Sequence, residues 1–147
     1  MVEVALKLLT VLGLGAIELW AAIPTGLALG IHPLLTGLAA GVGAVLGVLV
    51  VLALGGGVRA WLLSRHGGGG AERHGAVYRI WSRYGVMGLG LLAPLLVGTP
   101  LGTVLGVTLG APSRRLLLGM ALGIAVWSTL LTIAGTVGLA GVQSLWH

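Results

Sequence analysis

Apolar residues gather into four blocks, at about residues 4–31, 33–55, 85–110 and 116–141, and charged or Gly-rich stretches separate them. The second block, PLLTGLAAGVGAVLGVLVVLALG, is 23 residues long and carries no charge. At about 1.5 Å per residue it matches a hydrocarbon core of about 30 Å, which predicts one helical crossing. The fourth block is as clean and predicts a second. The first and third are interrupted near their middles, by Glu18 and Pro24 in one and by Pro94 and Pro100 in the other. Proline removes a backbone donor and clashes with the preceding turn, so each should be a kinked span or a hairpin that dips into the membrane and returns.

Composition makes the membrane reading firm. With 57% hydrophobic residues, 7% charged residues and a mean hydropathy of +1.11, a water-soluble domain is excluded. A net charge of +5 would suggest a nucleic-acid partner in a soluble chain; here it reads as topology instead, and no nucleic acid is expected. Residues 56–84 hold Arg59, Arg65, Arg73, Arg79 and Arg83 against Glu72 alone, which places this loop in the cytoplasm. If the third block crossed fully, Arg114 and Arg115 would be stranded outside. A re-entrant hairpin keeps all seven arginines inside, and the same logic brings the first block in from the outer face. Within the loop, Val77, Ile80, Trp81 and Tyr84 fall at helical spacing and predict a short amphipathic surface helix. Glu3 spoils a signal-like positive start, so the N-terminus reads as mature sequence.

An internal repeat fits this plan. Pro24 to Gly30 and Pro100 to Gly106 share the pattern P-x-G-x-x-x-G, and each copy precedes a second proline and a clean span. One span separates the two units, so they should lie inverted in the membrane, as in many secondary transporters. The expected fold is an all-α integral membrane domain over residues 1–147. It has a first repeat at 4–55, the basic cytoplasmic loop with its amphipathic helix at 56–84, and a second, inverted repeat at 85–141. Each repeat is a broken hairpin followed by a transmembrane helix. Glycines recur at every fourth position, as in Gly98, Gly102, Gly106 and Gly110, or Gly43 and Gly47. Such spacing lets another backbone approach one helix face, and tight helix packing is its first explanation.

Glu18 is the one acid inside any apolar block. A carboxylate at that depth is costly, so it should be neutralised, paired or turned to a water-filled cavity, and such residues commonly mark transport paths. The plainer reading makes it an interfacial cap beside Trp20. Broken backbone around Pro24, Thr25 and Gly26 would offer unpaired amides and carbonyls to a ligand, with Gly98, Thr99 and Pro100 as the matching stretch, flanked by Pro94 and Gly102. Arg79, Arg83, Arg114 and Arg115 are candidates for lipid headgroups, against the plainer reading of a surface obeying the charge rule. The chain has no cysteine, its four histidines lack metal-ligand spacing, and no nucleophile triad, paired carboxylate or phosphate loop is present. No enzyme, metal site or cofactor is expected.

These residues resemble the small multidrug export proteins of the DedA/VTT superfamily over nearly the whole chain. The likeness rests on Glu18 with Ala22-Ile23-Pro24 and Gly26, on Tyr84-Gly85, Ala93-Pro94 and Gly98-Thr99-Pro100, and on Gly123-Ile-Ala-Val-Trp127. The resemblance implies two re-entrant hairpins in inverted repeat and transport dependent on the proton-motive force, in the inner membrane of a prokaryote. Relatives in the superfamily include lipid scramblases and recyclers of a polyprenyl-phosphate carrier. DedA proteins proper look to carry an arginine in the second hairpin where this chain has Ala93 or Pro94, which puts an intramembrane phosphate site in doubt. The expected function is proton-coupled export of a lipophilic or cationic small molecule through a cavity between the hairpins. A lipid scramblase or carrier-lipid flippase, and a structural subunit without transport, are the alternatives. Four blocks in 147 residues make a thin wall, so a homodimer among membrane lipids is expected, with glycine faces at its contact.

Overall fold

A computed structural model describes residues 1–65 and 75–145, with the side chains of 1–57, 83–141 and Ser144. Among the described residues the regular structure is entirely helical. Val2–Ile17 (α1) ends where Glu18 turns extended, with φ −148° and ψ 108°, and Leu19–Ala28 (α2) starts at the next residue. Left-handed Gly30, at φ 74°, closes α2 as the Ile31 amide donates to the Gly26 carbonyl and the Gly30 amide to that of Leu27. Such a turn needs a residue without a Cβ. Pro33–Arg65 (α3) follows, 33 residues and about 50 Å long.

Gly75–Leu96 (α4) kinks at Gly85, and the chain then breaks at Val97 and Gly98 before Thr99–Thr108 (α5). Gly110, at φ 83°, closes α5 with the same two bonds, Ala111 to Gly106 and Gly110 to Val107. Ser113–Leu145 (α6) is again 33 residues long. Every boundary from α2 to α3 therefore recurs 80 positions later in α5 and α6.

That spacing corrects the register read from the proline motif, which pairs positions 76 apart. Gly26 matches Gly106, Gly30 matches Gly110, and Pro24 matches Val104 rather than Pro100. The positive-φ turn fixes the register because glycine is strongly favoured there, whereas the prolines are free to differ. Nor do the prolines make the breaks. Pro24 lies inside α2 and Pro94 inside α4, where each costs one bond, to the Trp20 and Gly90 carbonyls respectively. Pro100 occupies the first turn of α5, where no amide partner is missing. Another difference is that α3 continues ten residues past the expected end of its span, to Arg65, and helix resumes at Gly75. Residues 66–74 and the side chains of Val77, Ile80 and Trp81 lie outside the described residues.

Glycine contacts show how the helices run. A methyl group on Gly26 would meet Val11 at 3.0 Å, and one on Gly102 would strike Ala93, so α1 with α2, and α4 with α5, are hairpins folded at their breaks. Gly43 rests on the Leu12 carbonyl and Gly47 on that of Ala16, which sets α1 parallel to α3. In the second unit Gly119 lies against Val86 and Gly123 against Gly90, whose carbonyl Pro94 leaves without an amide partner. The long helices cross antiparallel, with Gly37 on Thr132 and Gly41 on Ser128. Two equivalent pairs tie the units together, Gly55 with Val107 and Gly135 with Leu27, each 80 positions from the other. Many of the periodic glycines thus pack within one chain, where they are closed to a second copy.

Val11, Leu19, Ile23, Leu116, Met120 and Ile124 form the centre of the core. The exterior is apolar as well, for Leu38, Leu54, Leu122 and Val137 are each more than half exposed. Pro33–Gly57 and Ser113–Gly141 are long and apolar enough to cross a membrane. A surface of this kind suits lipid and would aggregate in water.

Gly43→Ala should lower stability by about 1–3 kcal/mol, because the new methyl meets a backbone carbonyl that cannot retreat. Gly56→Ala has open space around it and should gain about 0.5–1 kcal/mol from helix propensity. Thermal unfolding of both variants in one detergent checks the contrast.

Candidate functional site

The tips of the two hairpins meet. Glu18 caps both helices of the first: its amide donates to the Leu14 carbonyl at 2.6 Å, and its carbonyl accepts from the Ala22 amide at 3.2 Å. Gly98 holds the equivalent place in the second, accepting from the Gly102 amide at 3.0 Å. With φ 81° and ψ 163°, Gly98 sits in a region open to glycine and almost closed to other residues. It is also where the half-buried Glu18 side chain lies, for a methyl group on Gly98 would come within 3.0 Å of Oε2. The missing side chain on one tip makes room for the acid of the other.

Beside this contact stands Thr99, fully buried, its Oγ1 without a hydrogen-bond partner among the described residues. Helix geometry explains why. Thr25 and Thr103 each bond to the carbonyl four residues back, at 2.7 Å. Thr99 opens its helix, and the carbonyl four residues back belongs to α4 across the break. A buried hydroxyl left unpaired costs about 1–3 kcal/mol.

The surrounding charge is sparse. Among the described residues the single ion pair joins Lys7 Nζ to Glu3 Oε1 at 2.7 Å, near the exposed start of α1, and Glu18 has no cationic partner. Backbone ends supply polarity instead. Helices α1 and α4 finish at the junction with carbonyls lacking intrahelical partners, while α2 and α5 begin there with free amides. The junction therefore joins one carboxylate, one hydroxyl and two sets of open backbone groups in an otherwise apolar core.

Of the candidates from sequence, Glu18 and Thr99 come together here, with Pro100 following Thr99 in the chain. Pro24, Thr25 and Gly26 do not: they begin about 9 Å farther along α2, in intact helix. Pro24 is exposed and Gly26 packs against Thr36. The expected opening of backbone at these three residues is thus displaced to Glu18, where the chain is extended. Pro94 is buried in α4, and Gly102 is buried against Ala93 and Met120. Arg114 and Arg115 are exposed in the first turn of α6, at the base of the second hairpin and away from the junction. Arg83 is exposed with its guanidinium 6.0 Å from the Tyr84 ring centre; the side chain of Arg79 lies outside the described residues.

Two features escaped sequence reasoning. Trp127 Nε1 donates to the Leu91 carbonyl at 2.7 Å and braces α6 against α4. Along the crossing of α3 and α6, two adjoining cavities of about 380 and 390 Å³ share Gly37, Leu38, Ser128 and Thr129. The signal for the second was the spacing of Ser128, Thr132 and Thr136, hydroxyls on every fourth residue of an apolar block. Comparison with protein families, with curated proteins and with solved structures gives no match.

Gly98→Ala should disturb the junction twice over, by straining a positive φ and by crowding the Glu18 carboxylate. A loss of about 1–3 kcal/mol is expected in thermal unfolding, and Gly98→Ala combined with Glu18→Ala should recover part of it, since only the steric share is relieved.

Proposed function

We propose that the chain is a small secondary transporter in which two re-entrant hairpins, inverted with respect to each other, meet at a proton-carrying carboxylate. The observation that carries this reading is the contact between Glu18 and Gly98 at the two hairpin tips. Lengths favour the membrane arrangement. At 10 residues each, α2 and α5 are about 15 Å long and too short to cross, but end to end they match a core of about 30 Å. The bases of the hairpins touch α3 at Thr36 and Gly55, about 28 Å apart, as entry from opposite faces requires. The excess of arginine in the sequence between the two units favours a cytoplasmic face for that segment.

In this arrangement Glu18 binds a proton from one side and releases it to the other as the two halves alternate their exposure, in exchange for a lipophilic or cationic small molecule. The likeness to the small multidrug export proteins points the same way. A homodimer would thicken the wall around the path. A scramblase or carrier-lipid flippase is the second reading, favoured by the hydroxyl-lined crossing of α3 and α6 and by Arg114 and Arg115 at a hairpin base.

Reconstituted vesicles test the choice. An imposed pH gradient should drive uptake of a fluorescent lipophilic cation, and Glu18→Gln should reduce the rate at least tenfold. Gradient-independent movement of a fluorescent phospholipid, lost on replacing Arg114 and Arg115 with alanine, would establish the scramblase instead. For topology, a cysteine at position 113 should react with a membrane-impermeant reagent from the same side as one at position 70; labelling from opposite sides would mean that the second hairpin crosses.

A further inference from the structure

We infer that the hairpin junction is a sodium site, in which the Glu18 carboxylate, the Thr99 hydroxyl and carbonyl oxygens from the ends of α1 and α4 hold a monovalent cation. The inference rests on the transport reading only for its consequence, that sodium and protons compete for one carboxylate. Its grounds are local. A half-buried acid without a cationic partner among the described residues faces the one tip residue that lacks a side chain. Next to that residue, a fully buried hydroxyl oxygen has no partner, although helical threonines elsewhere satisfy theirs on their own helix. The two helices that end at the junction, α1 and α4, leave carbonyls without intrahelical partners in their last turns.

All of these donors are hard oxygens, which suit a group I or group II cation and disfavour zinc or copper. Among the described residues no three His, Asp or Glu lie together, and a single carboxylate balances a single positive charge. Sodium fits both conditions. Broken helices in transporters offer unwound carbonyls to sodium in the same manner.

Few other charged groups lie near the junction. Helices α2 and α5, and α3 as far as Gly57, carry no charged side chain. On α1 the next charged residue is Lys7, eleven positions before Glu18 and paired with Glu3. His32 lies in the turn before α3, Arg83 ahead of the kink in α4, and Arg114 and Arg115 at the start of α6.

The test is thermal unfolding of the purified full-length chain in detergent, in sodium, potassium or choline chloride at equal ionic strength. Sodium should raise the midpoint by about 4 °C or more over choline, and the rise should follow a binding curve in sodium concentration. Glu18→Gln and Thr99→Val should abolish the sodium response, and Thr99→Val should remain at least as stable as the parent in choline, since it removes a buried hydroxyl without a partner among the described residues. Thr99→Ser should keep it. Equal midpoints in all three salts, or a full response in Thr99→Val, would overturn the site. If protons drive flux in sodium-free vesicles and sodium leaves the midpoint unmoved, this inference fails and the transport reading stands. Sodium stabilisation without any gradient-driven flux has the opposite meaning.

Discussion

A helix cannot be interrupted in hydrocarbon without exposing amides and carbonyls that no water will satisfy. This chain contains two helix interruptions within apolar sequence, at Glu18 and at Val97–Gly98, and the fold sets them against each other. The ends of α1 and α4 and the starts of α2 and α5 share one junction, so open backbone groups that would be costly singly form a common polar point. Much else in the structure serves to hold the tips in register. Close packing of α1 on α3 through Gly43 and Gly47, and of α4 on α6 through Gly119 and Gly123, fixes the outer arm of each hairpin to a rigid rod. The antiparallel crossing of the rods then sets the distance between the hairpins. In lipid such contacts rest on van der Waals packing rather than on apolar burial, which is why backbone meets backbone at so many glycines.

The helical plan was legible because it follows from hydropathy alone. Two clean blocks became the two long helices, and two interrupted blocks became hairpins. The positions of the interruptions were not legible in the same way. Proline is the strongest local signal for a break, yet Pro24 and Pro94 are absorbed into helices at the cost of one bond each. The breaks fall at an acid and at a glycine, residues whose local preferences are mild and whose meaning depends on what lies across the junction. Gly98 could be noticed as one of a periodic series. Its role comes from a carboxylate 80 positions away in the chain, a relation that spacing along one helix does not encode.

The repeat illustrates the same point. A shared motif suggested an offset of 76, and the geometry of the turns sets it at 80. Positions such as Gly30 and Gly110 carry the true register because their backbone angle admits little else. Prolines two turns upstream carry less, since a helix in a packed bundle can accommodate one without moving its ends. Where two readings of a repeat compete, the residues under conformational constraint deserve the greater weight.

The two halves match closely in backbone and differ at their tips, and electrostatics gives a reason for the difference. An acid at both equivalent positions would bring two carboxylates together in an apolar core, where one of them would be forced to stay neutral. An acid facing glycine avoids the repulsion and has room for its carboxylate against the opposite tip. Leu19, the counterpart of Thr99, is fully buried and apolar, so the hydroxyl too is confined to one side. The scaffold is thus nearly symmetric while the junction is not: a single charge, with one hydroxyl beside it, lies where both halves touch. On the proposed transport reading, a motion that exchanges the roles of the halves would carry that same group from one environment to the other, a property that two independent sites, each fixed in its own half, would lack.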